Sequence, residues 1–101
     1  MSMRLTEYSG SEIAYTARIG EGVIIESGCK IGMDVIIGHH CVLRSNVIIG
    51  DHTKIGHLVV FEGDATVGKS VVINSQCHIT FGMTIDDYVF KIGRASCRER
   101  V

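Results

Sequence analysis

Ile31-Gly32-Met33-Asp34-Val35-Ile36-Ile37-Gly38-His39-His40-Cys41-Val42-Leu43 places a large apolar residue at 31, 37 and 43, a glycine after the first two, and a small or β-branched residue at 35 and 41. Outward from this stretch the six-residue spacing continues without a slip. Ile13, Ile19 and Ile25 precede it, and Ile49, Ile55, Phe61, Val67, Ile73, Ile79 and Ile85 follow. In a chain that is 46% hydrophobic, chance would produce such an unbroken run on the order of once in ten thousand tries or less. A fixed short period is the mark of a solenoid, in which each repeat packs on its neighbours.

A second column lies four residues after the first: Ala17, Val23, Cys29, Val35, Cys41, Val47, Thr53, Val59, Ala65, Val71, Cys77, Met83 and Val89. One large and one small inward residue per hexapeptide describe short strands whose apolar side chains meet inside a narrow tube, with polar residues left outside. The residue after the large one is Gly at 20, 32, 38, 50, 56 and 68, with Asn74 in the same column. That suits corners where the backbone needs room or a positive φ. The column also repeats in threes. Ala14, Gly32, Gly50, Gly68 and Asp86 form one series, Gly20, Gly38, Gly56 and Asn74 another, and Glu26, Arg44, Glu62 and Thr80 a third without glycine. The larger period is therefore eighteen residues, with one corner in three built differently. The absence of proline and of helical periodicity supports an all-β reading over residues 13–90.

Residues 1–12 show no repeat and read as a lead-in segment. No apolar run has the length to span a bilayer, and the first residues lack the apolar core of a signal peptide, so the expected setting is the cytoplasm, away from membrane. From Lys91 the pattern gives way to Lys91-Ile92-Gly93-Arg94-Ala95-Ser96-Cys97-Arg98-Glu99-Arg100-Val101. This string is similar to the translation of a short-read sequencing adapter. Residues 91–101 are accordingly expected to be a non-native tail, with the repeats cut short before it. Without the tail, six Lys and Arg stand against ten Asp and Glu, a net charge of −4 rather than −1, and an acidic body argues against nucleic acid as a partner. Cys29, Cys41 and Cys77 fall in the small inward column, where a thiol behaves as a small buried hydrophobe, and no CxxC spacing suggests a metal site.

With the inward positions committed to packing, chemistry belongs on the turns. His39 and His57 both lie two residues after a large apolar position and eighteen residues apart, so they are expected to stack on adjacent coils at about 4.8 Å. Glu21 and Ser75 continue the same column. A carboxylate beside an imidazole fixes its tautomer and raises its basicity, so Glu21 is a candidate to orient His39. A solvated polar turn is the plain alternative. His52 beside Asp51 reads as a solvated turn pair, and His78 as an outward strand residue.

These columns resemble the hexapeptide-repeat acyltransferase family, whose fold is a left-handed parallel β-helix with three hexapeptides per triangular coil. Ile37-Gly38-His39-His40-Cys41-Val42 is similar to the segment Ile-x-His-x-Cys-x that carries the general-base histidine in several of its members, including sugar N-acetyltransferases and the acyltransferases of lipid A synthesis. The resemblance implies His39 as the base and His57, followed by Leu58 and Val59, as a second candidate. It leaves the role of His40 undetermined. It further implies acetyl-CoA or another acyl-CoA as co-substrate, no metal, and an amino or hydroxyl group of a sugar, free or nucleotide-linked, as acceptor. The implied assembly is a homotrimer with the CoA groove between subunits, its contacts drawn largely from later coils. His78-Ile79-Thr80-Phe81 resembles part of a His-Ile-Ala-His motif of the lipid A branch, but Phe81 occupies the place of the catalytic histidine and disfavours that branch. Two alternatives stay open. One is a γ-class carbonic anhydrase-like zinc enzyme, with His52 and His57 five residues apart but no Arg-x-Asp segment upstream. The other is a non-catalytic β-solenoid scaffold or trimerisation module.

Overall fold

A computed structural model describes residues 11–91. Most of the lead-in, residues 1–10, and the tail from residue 92 lie outside the described residues. The chain forms two-residue strands at six-residue intervals: β1 (Glu12–Ile13), β2 (Arg18–Ile19), β3 (Ile24–Ile25), β4 (Lys30–Ile31), β5 (Ile36–Ile37), β6 (Val42–Leu43), β7 (Ile48–Ile49), β8 (Lys54–Ile55), β9 (Val60–Phe61), β10 (Thr66–Val67), β11 (Val72–Ile73), β12 (His78–Ile79), β13 (Thr84–Ile85) and β14 (Phe90–Lys91). From β1 to β13 each strand ends on the large apolar column, which points inward, and begins on the residue before it, which points out.

Each strand from β1 to β11 pairs in parallel with the strand three places later, so Ile13 lies beside Ile31, Ile31 beside Ile49 and Val67 beside Ile85. Three faces result. The first stacks β1, β4, β7, β10 and β13, the second β2, β5, β8, β11 and β14, and the third β3, β6, β9 and β12. The architecture is the triangular left-handed parallel β-helix that the family resemblance implies. Phe90 and Lys91 pair with Val72 and Ile73, which carries the ladder one residue past the expected end of the repeats. At the other end, Ser11 Oγ donates to the Glu26 carbonyl at 2.8 Å and accepts the Cys29 N–H at 3.3 Å.

The two inward columns form one continuous core from Val23 to Ile85. The small column also makes polar links between coils. Thr53, fully buried, donates its Oγ1 hydrogen to the Gly68 carbonyl at 2.8 Å and accepts the Val71 N–H at 3.2 Å. Cys41 Sγ donates to the Gly56 carbonyl at 3.0 Å and Cys29 Sγ to the Arg44 carbonyl at 3.2 Å. Each of these donors reaches a carbonyl fifteen residues ahead, so a thiol and a hydroxyl do the same structural work in this column. Burial raises the Cys29 and Cys41 thiols above their ordinary value by disfavouring the thiolate. Cys77 is also buried but is disulfide-bonded, which corrects the reading of all three as simple buried thiols.

Two further expectations are corrected. Of the two reasons expected for the glycines at 20, 32, 38, 50, 56 and 68, the need for room holds, but they do not carry the positive φ of the turns. That falls two residues later, at Gly22, Gly28, Asp34, His40, Asn46, His52, Leu58, Asp64, Ser70, Gln76, Gly82 and Tyr88. The turn thus places its left-handed residue in a column filled mostly by Asp, Asn, His and other non-glycine side chains, a set in which Asp, Asn and His tolerate the conformation best. Nor are the outward positions uniformly polar. Ile24 is 55% exposed, and Ile36 and Ile48 are each 40% exposed.

Candidate functional site

The corner between the second and third faces comprises residues 20–23, 38–41, 56–59 and 74–77. On it the backbone N–H of Glu21 donates to His39 Nδ1 at 2.8 Å, that of His39 to His57 Nδ1 at 2.8 Å, and that of His57 to Ser75 Oγ at 3.0 Å. Each side chain folds back over the preceding coil and caps the main chain of the residue eighteen positions earlier. The two rings stack with centroids 5.0 Å apart and planes 5° from parallel, close to the strand spacing.

This capping explains the glycine column. A Cβ on Gly38 would stand 2.5 Å from His57 Nδ1 and 2.7 Å from the Gly56 carbonyl carbon, and one on Gly20 would stand 2.6 Å from His39 Nδ1. Glycine is there so that the next coil's acceptor can reach the N–H that follows it. The corner between the first and second faces uses the same device. Asp51 Oδ1 accepts the Met33 N–H at 2.9 Å and Asp87 Oδ1 the Lys69 N–H at 2.8 Å, over Gly32 and Gly68 respectively.

Of the residues singled out from the sequence, the fold brings His39 and His57 together, while Glu21 joins them through its main chain. Its carboxylate makes no hydrogen bond or ion pair with either ring among the described residues. His40 is the neighbour that spacing left without a role. It takes the left-handed position with φ 59°, its N–H donates to the Glu21 carbonyl at 2.8 Å, and its ring centroid lies 6.4 Å from that of His39 at a tilt of 58°. The ring sits over Gly22, where a Cβ would collide with its Nδ1. The sequence signal that could have found it is the glycine eighteen residues earlier.

The other histidines lie elsewhere. His52 is on the corner between the first and second faces, where its Nδ1 stands 3.5 Å from Asp34 Oδ2 of the preceding coil. Its expected partner Asp51 is occupied in capping Met33. His52 and His57 therefore occupy different corners of this chain. Among the described residues no three His, Cys, Asp or Glu converge as metal ligands. His78 projects from β12, and its Nε2 hydrogen-bonds Glu62 Oε2.

The corner between the third and first faces has no glycine directly after its large apolar residue, where Glu26, Arg44, Glu62 and Thr80 stand. Arg44 Nε pairs with Glu26 Oε2 at 3.3 Å, and Ser45 Oγ donates to Glu26 Oε1 at 3.2 Å. Phe81, 66% exposed, lies against Gly63 at the rim of an open hollow that these groups line.

Residues 16–49 and 46–80 match the family described as bacterial transferase hexapeptide (six repeats). The chain belongs to this family. Its hexapeptides are the repeats that build the three faces, and the histidine ladder is an elaboration on one of their corners. No curated protein is matched by this chain. Among solved structures, it is similar to a point mutant of perosamine N-acetyltransferase from Caulobacter crescentus, in complex with CoA and GDP-perosamine, at 20% identity and a TM-score of 0.50, over 84% of this chain and 51% of that one. It is also similar to serine acetyltransferase isoform 3 from Entamoeba histolytica, in complex with cysteine, at 23% identity and a TM-score of 0.54, over 84% of this chain and 35% of that one. At these identities the likeness is one of fold. The chain spans about half the length of the first structure and about a third of the second. No helix among the described residues is long and apolar enough to cross a membrane.

Proposed function

We propose that this chain is part of a cytoplasmic acyl-CoA-dependent acyltransferase that moves an acetyl group to an amino or hydroxyl group of a sugar, with a histidine of the ladder corner as general base. The single observation that carries the reading is the ladder: stacked, solvent-facing imidazoles on one corner of a β-helix of the bacterial transferase hexapeptide family. The similar fold of an enzyme solved with CoA and GDP-perosamine supports a thioester donor and a sugar acceptor. Acyl transfer from a thioester needs a base for the acceptor's proton and donors for the carbonyl oxygen as it gains charge. The motif Ile37-Gly38-His39-His40-Cys41-Val42 supports His39 as the first candidate, with His57, which caps its main chain, as the second.

The test is release of CoA thiol from acetyl-CoA in the presence of amino sugars, free and nucleotide-linked. His39→Ala is expected to lower turnover by a factor of about 10² or more. Turnover within a few-fold of the parent would remove His39 from the reaction. Absence of acceptor-dependent thiol release from the parent chain would overturn acyl transfer itself.

A further inference from the structure

The ladder restricts what each histidine can do, because a backbone N–H only donates. His39 Nδ1 accepts the Glu21 N–H at 2.8 Å and His57 Nδ1 accepts the His39 N–H at 2.8 Å, so each Nδ1 must keep its lone pair. A neutral imidazole with an unprotonated Nδ1 carries its hydrogen on Nε2. The free nitrogens of both rings are therefore N–H donors, and a ring in that tautomer has no second lone pair with which to take a proton.

His40 is under no such constraint. Its ring makes no hydrogen bond among the described residues, so either nitrogen is able to present a lone pair. The titratable residues that meet it are His39, through the ring contact, and Glu21, whose carbonyl accepts its N–H and whose carboxylate is in no ion pair among the described residues. The His39 and His40 ring centroids lie 6.4 Å apart with their planes tilted by 58°, so both rings border the same part of the corner.

We infer that the ladder divides the labour of this corner: His39 donates from Nε2–H to the acyl oxygen, His57 is a positioning residue that holds His39 through its main chain and ring face, and His40 is the general base. The inference rests on the acyl-transfer reading and reassigns the proton within it. In the step, the acceptor's lone pair forms the new bond to the thioester carbon while the carbonyl π pair moves onto oxygen, facing His39 Nε2–H. The acceptor's proton passes to His40. Collapse of the tetrahedral centre breaks the C–S bond, and the departing thiolate takes the proton from His40 to leave as CoA thiol. A neutral imidazole acting as donor to a developing oxyanion has precedent.

Two measurements test this. Long-range ¹H–¹⁵N correlation spectra of the labelled chain are expected to show His39 and His57 as Nε2–H tautomers at alkaline pH, and an Nδ1–H tautomer at His39 would overturn the assignment. In acetyl-CoA turnover, His40→Gln is expected to lose about 10²-fold and the acid limb of the pH–rate profile. His39→Gln, whose amide still donates, is expected to keep that limb and to be less impaired than His39→Ala. Loss of the limb in His39→Gln with its retention in His40→Gln would return the base to His39. If the parent releases no CoA thiol, the catalytic division falls with acyl transfer, while the tautomer spectra still decide whether the ladder exists.

Discussion

Two kinds of glycine occur on these corners, and they fail for different reasons. At Gly56 the φ is ordinary, but an added Cβ would lie 2.6 Å from the Ser75 backbone nitrogen and 2.9 Å from the Asn74 carbonyl carbon. Main chain, unlike the end of a flexible side chain, cannot step aside. At Gly82 nothing lies within 4 Å of an added Cβ, but φ is +76°. Gly56→Ala is therefore expected to cost about 3 kcal/mol, the upper end of overpacking penalties, and Gly82→Ala about 1 kcal/mol of left-handed strain. Denaturant unfolding of the two variants checks the order, and equal losses would show that coil-to-coil approach is not what selects glycine at 56. The distinction was only half legible in the sequence: glycine after the large apolar residue signalled a crowded corner, while the left-handed column is hidden because Asp, His, Asn, Ser, Gln, Leu and Tyr fill most of it.

At the scale of the elements, two-residue strands cannot hold themselves together and depend on links between coils. The small column supplies some of these, with Cys29, Cys41 and Thr53 each donating to a carbonyl fifteen residues ahead. Thr53→Val keeps the shape but leaves the Gly68 carbonyl and the Val71 N–H without their side-chain partner. An expected loss of about 1–3 kcal/mol follows from unsatisfied buried groups. Thr53→Cys retains an S–H donor of the kind already used at 29 and 41 and is expected to cost less. A Cys variant as unstable as the Val variant, by the same unfolding measurement, would show that the hydrogen bond contributes nothing. The polar capping series is the counterpart on the outside, where Asp51, Asp87, His57 and Ser75 each cover a main-chain N–H of the coil before.

For the whole molecule, the third face is the one whose outward residues are most consistently apolar. Ile24, Val42 and Val60 stack along β3, β6 and β9 in register, with Ile24 more than half exposed. Stacked, partly exposed apolar residues mark surfaces that associate, and on this ground we propose the homotrimer that the family resemblance implies. The chain of 11.0 kDa is expected to run at three times that mass in sizing with light scattering, and Val42→Glu to shift it toward the monomer. A monomeric parent would remove the trimer, and an unshifted Val42→Glu would move the interface to another face.

The sequence by itself determined the tube. A six-residue spacing of apolar side chains repeated in threes admits one economical burial, so coil length, faces and inward columns all follow from periodicity. It also put His39 and His57 one above the other, because residues eighteen apart must stack once the coil is closed. Only the tertiary structure decided which atoms meet. That Glu21 offers an N–H rather than a carboxylate, that His52 turns to Asp34 instead of Asp51, and that the His40 ring makes no hydrogen bond among the described residues all depend on how one coil's side chains lie over the next. Spacing carries position along the chain, whereas the direction of a hydrogen bond belongs to the packed turn.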